Sequence, residues 1–442
     1  CTGAWEESDD SCAVKYTMAC DQANDSSDAI CECASPLPPS FPPSPSLPPP
    51  PPPPPDACST FEGVGCKLVC NCTLECCSSL CETCCSVAPP SITYRPGELM
   101  PTNAQGLQLS KGLSSTLLAV TGARVVTTTT QSELAWHDQP DGGGCFPKPE
   151  TGGWVYASNS EVGGGGGGAY GLEFDAEGHV VDYYPLITGT SRNCGGSKSP
   201  WNTWISCEED SLNGHVWEVN PLVANSGRLT QLVGEGGNYE SAAYENTSGV
   251  PVWYITEDST QGVLTRFIPE SGELTAILSG SPHAPFAHTY LVVEMTNVSA
   301  DGKSGSGTFA WSAIRAEGRA SAEAWFPQAE GIDTRTVDGV ARIYFVSKFA
   351  KRLFILNVAD RTLEFSSTKS GAFNQQPDQI KIIAGDESGM IYFCEDGGSD
   401  CGVHARDPEG RFYSILDGPA YNTETSGLAF SPDKKHMYVV FQ

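Results

Sequence analysis

From Trp154 onward, six short runs of large apolar residues, each closing on a polar or charged residue, recur along the chain: WVYASNSE, TWISCEE, VWYITED, RIYFVSK, MIYFCED and MYVVFQ. Their last residues are Glu161, Glu209, Asp258, Lys348, Asp396 and Gln442, so successive gaps are 48, 49, 90, 48 and 46 residues. Short runs rich in Trp, Tyr, Ile and Val predict strands. Further strand-like runs follow most of them, as in GVLTRFIPESGELTAIL and KRLFILNVADRTLEFSS. A unit of several strands repeated at this spacing predicts an all-β fold, a six-bladed β-propeller. The long gap carries an insertion of about 42 residues with the runs YLVVEMTN and TFAWSAI, and the count becomes seven if that insertion is a full blade. The final unit, ETSGLAFSPDKKHMYVVFQ, supplies two strands where the others have about four. Its missing strands come either from TLLAVTGARVVTTTT, residues 116–130, or from a neighbouring molecule, because an unpaired edge invites strand addition.

The first part of the chain has a different pattern. Residues 1–33 hold five cysteines among Asp, Ser and Thr and few large apolar residues, so disulfides are expected to hold this module. Residues 34–57 are proline-rich, with eight consecutive prolines from Pro48 to Pro55, and predict a polyproline II rod reaching about 70 Å. Residues 58–88 bring nine more cysteines, several at helical spacing, and predict a disulfide-braced helical module, with zinc binding as the alternative. Both cysteine counts are odd, so full oxidation requires at least one bridge between the two clusters, within a chain or between chains. Residues 89–135 are a connector with the closing strands, and the propeller is expected over 136–442. Of its five cysteines, Cys394 and Cys401 are spaced to staple a hairpin and Cys145 is available to Cys207. That pairing leaves Cys194 unpaired, as a thiolate ligand requires.

Charge narrows the partners. With 25 Lys and Arg against 53 Asp and Glu the chain carries −28, which argues against nucleic acid or an anionic membrane surface and suits hard cations such as calcium. No run of about 20 apolar residues is present to span a bilayer. The start at Cys1 fits a signal peptide already removed. Nineteen cysteines and sequons at Asn24, Asn71, Asn246 and Asn297 predict a secreted, extracellular glycoprotein of the cell surface, wall or matrix rather than a cytosolic metal-cluster protein. The Gly163–Gly168 run lacks the Lys-Ser/Thr and helix of a phosphate loop and reads as a hairpin loop. The seven histidines offer no Ser/His/Asp triad.

The stretch SRNCGGSKSPWNTWISCEED, 191–210, sets a cysteine in a glycine-rich bend ahead of a strand and paired carboxylates. Through Asn193, Cys194, Gly195, Gly196, Pro200, Trp201, Thr203, Trp204, Cys207, Glu208 and Glu209 it resembles the PhoX-type alkaline phosphatase family, secreted β-propellers that hold calcium and iron in a central channel. The resemblance covers about residues 136–442. It implies that Cys194 is an iron thiolate ligand and that Glu161, Glu208, Glu240 and Glu330 are metal carboxylates, with Asp378, Asp396 and Glu424 further candidates of the same kind. Tyr239 stands before Glu240 where the family commonly has histidine. Converging carboxylates repel unless cations or protons offset them. The proline tract resembles the hydroxyproline-rich wall and matrix glycoproteins of plants and green algae, which implies hydroxylated, O-glycosylated prolines at positions such as Pro48, Pro49, Pro50, Pro51 and Pro52.

Together the rod, the odd cysteine counts and the short last unit favour a structural subunit that self-assembles into a homopolymeric extracellular fibre or matrix, with glycans covalently attached. The alternative is a PhoX-like metal-dependent phosphomonoesterase on an anchoring stem, and a carbohydrate-binding or adhesive propeller is the third possibility.

Overall fold

The computed structural model describes residues 12–18, as a backbone strand, together with 97–269, 288–371 and 373–442. The proline tract, the second cysteine cluster, Asn24 and Asn71 lie outside the described residues. Six innermost strands form a closed ring: Pro140–Lys148, Asn193–Lys198, Tyr239–Glu245, Ala329–Val337, Gln376–Lys381 and Thr425–Phe430, each packed beside the next and the last beside the first. Each opens a blade of antiparallel strands, so the propeller has six blades.

The second strand of each blade is the one the sequence repeat records. Gly153–Ser160, Trp204–Glu208, Val252–Glu257, Val340–Ser347, Ile391–Asp396 and His436–Phe441 end on, or one residue before, the six repeat-closing positions. Strand alternation sends their apolar side chains to both faces: Trp204 packs against Phe146 and Ala157 of the first blade, while Ile205 and Cys207 pack against Trp253 and Ile255 of the third. Six buried clusters fill the six spaces between neighbouring blades. Burial on both faces explains why these strands read as near-continuous apolar runs.

The insertion is not a seventh blade. Its strands Thr289–Val298 and Ser304–Ser312 extend the outer edge of the third blade until Ser304–Ser312 pairs with Thr362–Ser367, the outermost strand of the fourth. The two blades therefore share one nine-stranded sheet. A helix, Arg315–Trp325, then returns the chain, burying Gly318, Ser321 and Ala322.

The last blade is completed within the chain. Cys12–Met18 pairs antiparallel with His436–Phe441 on one side and with Leu113–Val120 on the other, and Gln108–Leu109 caps the fifth blade. Cys12–Met18 thus lies in the propeller rather than in a separate disulfide module, and only the beginning of the 116–130 stretch joins the closing sheet. The closing sheet therefore draws all four of its strands from this chain.

Among the described residues, neither of the two bridges expected within the propeller is formed. Cys207, Cys394 and Cys401 are buried free thiols. Cys145 faces the sixth blade and Cys207 the third, so they lie in different interblade layers. In the 391–406 hairpin Cys394 pairs with Val403, which places Cys401 two positions away from the direct cross-strand site. The Gly163–Gly168 run forms the expected hairpin turn, with φ of 65° and 81° at Gly164 and Gly165.

Candidate metal centre

Each innermost strand carries a β-bulge near its start, with register shifts inside 140–143, 193–196, 239–242, 329–332, 377–380 and 426–429. A bulge leaves one residue without a cross-strand partner and re-aims its side chain. Asp141, Cys194, Glu240, Glu330 and Asp378 lie just inside their bulges and Ser426, paired with Val440, at the edge of the sixth, and their groups meet at the hub. Crowding there is severe. A Cβ on Gly195 would lie 2.5 Å from the Glu240 carbonyl oxygen, and one on Gly331 would lie 2.4 Å from the Ile380 nitrogen, so only glycine lets the strands approach this closely.

Around this inner ring sits a second, formed by the six repeat-closing residues. The backbone N–H groups of Glu161, Glu209, Asp258, Lys348 and Gln442 donate to the carbonyls of Gln139, Arg192, Asn238, Gln328 and Glu424, at the start of each innermost strand. Together the rings, with Glu424 from just before the sixth innermost strand, yield three groups whose ligand atoms lie within 4.8 Å of one another: Glu161, Cys194 and Glu209; Glu240, Glu330 and Asp378; Asp378, Asp396 and Glu424. Seven of the eight metal candidates read from the sequence are therefore brought together.

Glu208 is the exception. Its carboxylate accepts the backbone N–H groups of Ser191 and His215 at 2.8 and 2.9 Å, which fixes the loop before Cys194 and occupies both of its oxygens. Glu209 takes its place. Asp141 is the residue that sequence reasoning missed: it is 1% exposed, accepts the Cys194 thiol at 3.0 Å and the Gln379 amide at 2.7 Å, and is bonded to Ser426. The signal was the match of PDGG to NCGG at the same point of consecutive blades. Asn159 locks the cysteine loop from behind, donating to the Cys194 and Gly195 carbonyls while accepting from Trp204 and Ser206.

Lys348 is the cation of the outer ring, 2.9 Å from Asp396 and 3.5 Å from Glu330. One ammonium does not offset so many carboxylates. Burial, and then the negative charge of neighbours, raises Glu240, Glu330, Asp378 and Glu424 well above the usual carboxylate range, with Lys348 opposing at the last three. Burial with Asp141 raises Glu161 to about 7, and burial with Asp258 and Glu161 raises Glu209 to about 8. Burial, Asp141 and Glu240 push the Cys194 thiol well up. Among the described residues, buried carboxylate oxygens on Glu240, Asp258 and Asp378 have no hydrogen-bond partner, and the one on Glu330 faces Lys348 at 3.5 Å. Orphaned acceptors on crowded acids fit divalent cations, which satisfy the oxygens and restore the ionised form together.

The fold and this hub define a six-bladed β-propeller with an acidic, cysteine-containing candidate cation site. A family model described as alkaline phosphatase PhoX matches residues 156–279. Among solved structures, Pseudomonas fluorescens PhoX in complex with vanadate shares the fold with a TM-score of 0.57 at 14% identity, over 79% of this chain and 97% of that one. A gluconolactonase from Xanthomonas campestris has a TM-score of 0.39 at 11% identity, over 80% and 92% of the two chains. The curated proteins include no match to this sequence. Among the described residues no helix is long and apolar enough to cross a membrane.

Proposed function

We propose that this chain is a metal-dependent phosphomonoester hydrolase of the PhoX kind. The observation that carries the proposal is the meeting of Cys194, Glu161 and Glu209 with two all-carboxylate groups in one channel, in a chain similar to PhoX over residues 156–279. Glu240, Glu330, Asp378, Asp396 and Glu424 would hold hard cations, calcium first, while the mixed thiol and carboxylate set at Cys194 suits iron. When bound, such ions supply positive charge to the phosphate oxygens and to the charge that develops in phosphoryl transfer.

The chain's own residues prepare the rest. Lys348 offers a fixed ammonium beside the acids for the phosphate ester. Asn159 and Glu208 hold the Cys194 loop so that its donors are placed before substrate arrives. Secretion fits the sequons, of which Asn246 and Asn297 are exposed at strand ends and accessible for glycosylation. The described residues carry no support for a fibre subunit: the last blade closes within the chain, and the rod, the second cysteine cluster and all of the first but Cys12 lie outside them.

Hydrolysis of p-nitrophenyl phosphate by the purified full chain with calcium and iron tests the proposal. Turnover that falls at least about 100-fold in Cys194→Ser, at an unchanged melting temperature, is the expected result. No turnover under any metal condition would overturn it.

A further inference from the structure

The innermost strands all run away from the acidic groups, and at their far ends the channel opens into a cavity of about 780 Å³ to which every blade contributes. The chemistry there is reversed. Lys198, Arg335, Lys381 and Lys434 line it against two carboxylates, Asp333 and Asp386, in a chain with twice as many acids as bases. None of the four cations makes an ion pair among the described residues. Lys198 donates to the Cys145 carbonyl at 3.4 Å and lies 5.2 Å from the centre of the Phe146 ring, and Arg335 donates to the Met390 carbonyl at 3.1 Å.

Lys381 sits deepest. Its ammonium lies 5.6 Å from the centre of the Trp204 ring and has no hydrogen bond among the described residues. The nearby Asp333 carboxylate is occupied by the backbone N–H groups of Thr334 and Ile382, both at 2.8 Å. Burial lowers Lys381 below its ordinary value, with the Asp333 charge opposing. Unpaired cations in a partly desolvated cavity are costly unless a ligand completes them. The volume is that of a small-molecule site, and the excess of positive charge favours a multiply charged oxyanion over a single carboxylate.

We infer that this basic mouth is a second ligand site, distinct from the acidic one, which takes a small phosphate-class oxyanion on Lys381 with Lys198, Arg335 and Lys434 around it. The inference stands apart from the catalytic proposal, since it uses none of the same residues. The propeller then has mouths of opposite sign, and an anion is drawn to the basic one.

Equilibrium dialysis of radiolabelled inorganic phosphate against the calcium-loaded full chain tests it. Phosphate binding at the basic mouth survives Cys194→Ser, whereas binding that depends on the acidic mouth does not. The surviving binding weakens at least about tenfold in Lys381→Met and is rescued by Lys381→Arg, with p-nitrophenyl phosphate hydrolysis changed by less than about twofold. Lys434→Glu, at an exposed position, weakens it severalfold and decides the matter if Lys381→Met fails to fold. The inference is overturned if no phosphate binding survives Cys194→Ser, or if it survives undiminished in the lysine variants.

Discussion

Glu208 and Glu209 are adjacent, both acidic, and differ in what they do. Glu208 ends the second strand of its blade with both oxygens on backbone amides, so its loss leaves the buried Ser191 donor and the part-buried His215 donor unsatisfied. Glu208→Ala is expected to destabilise the fold by about 1–3 kcal/mol in chemical denaturation. Glu209 faces the Cys194 thiol and Glu161. Glu209→Gln should leave the melting temperature of the metal-free protein unchanged or raised and weaken metal retention, read by elemental analysis. Analogy chose Glu208, although the repeat itself closed on Glu209, in register with Glu161 and Asp258. Register was the better guide because position on a blade, more than residue type, decides what faces the axis. Asp141 was legible on the same ground, in the match of PDGG to NCGG.

The working element of this fold is the bulged start of each innermost strand. No apolar pattern marks it, since it is short, glycine-rich and buried against backbone, whereas the second strands announce themselves as aromatic runs. Gly195→Ala inserts a methyl group where 2.5 Å is available to the Glu240 carbonyl, so Cys194 and Glu240 must separate. Its expected signature is a fall in phosphomonoester hydrolysis of at least about tenfold, with secondary structure by circular dichroism unchanged. The insertion was misleading in the opposite sense: its two strands have the pattern of a blade, but they pair across the outer edges of two existing blades, a long-range pairing that sequence periodicity does not record. Cys12–Met18 was hidden among cysteines and polar residues. Because it pairs on both sides, removing residues 1–19 exposes two strand edges in the closing sheet and should lower the melting temperature by at least about 5 °C.

The propeller is a ring with a cluster of carboxylates crowded at one end of its axis, and this sets its response to pH. In the metal-free protein Glu161 and Glu209 titrate near about 7 and about 8 rather than in the ordinary carboxylate range. The folded state therefore binds more protons than the unfolded chain across that window. Stability is full below the ordinary carboxylate range and is lost as pH rises through those values; calcium should remove that loss, as a melting series from pH 5 to 9 would record. Periodicity and composition made the ring and its acidity legible, whereas the separation of acidic and basic mouths depends on which end of each innermost strand faces which opening. The most direct test of the central claim, that the hub is a cation site, is the metal content of the full chain after exhaustive dialysis, beside Glu330→Gln. Stoichiometric calcium in the parent, reduced in the variant, is the predicted result. A parent chain that retains no metal and takes up no calcium would contradict it.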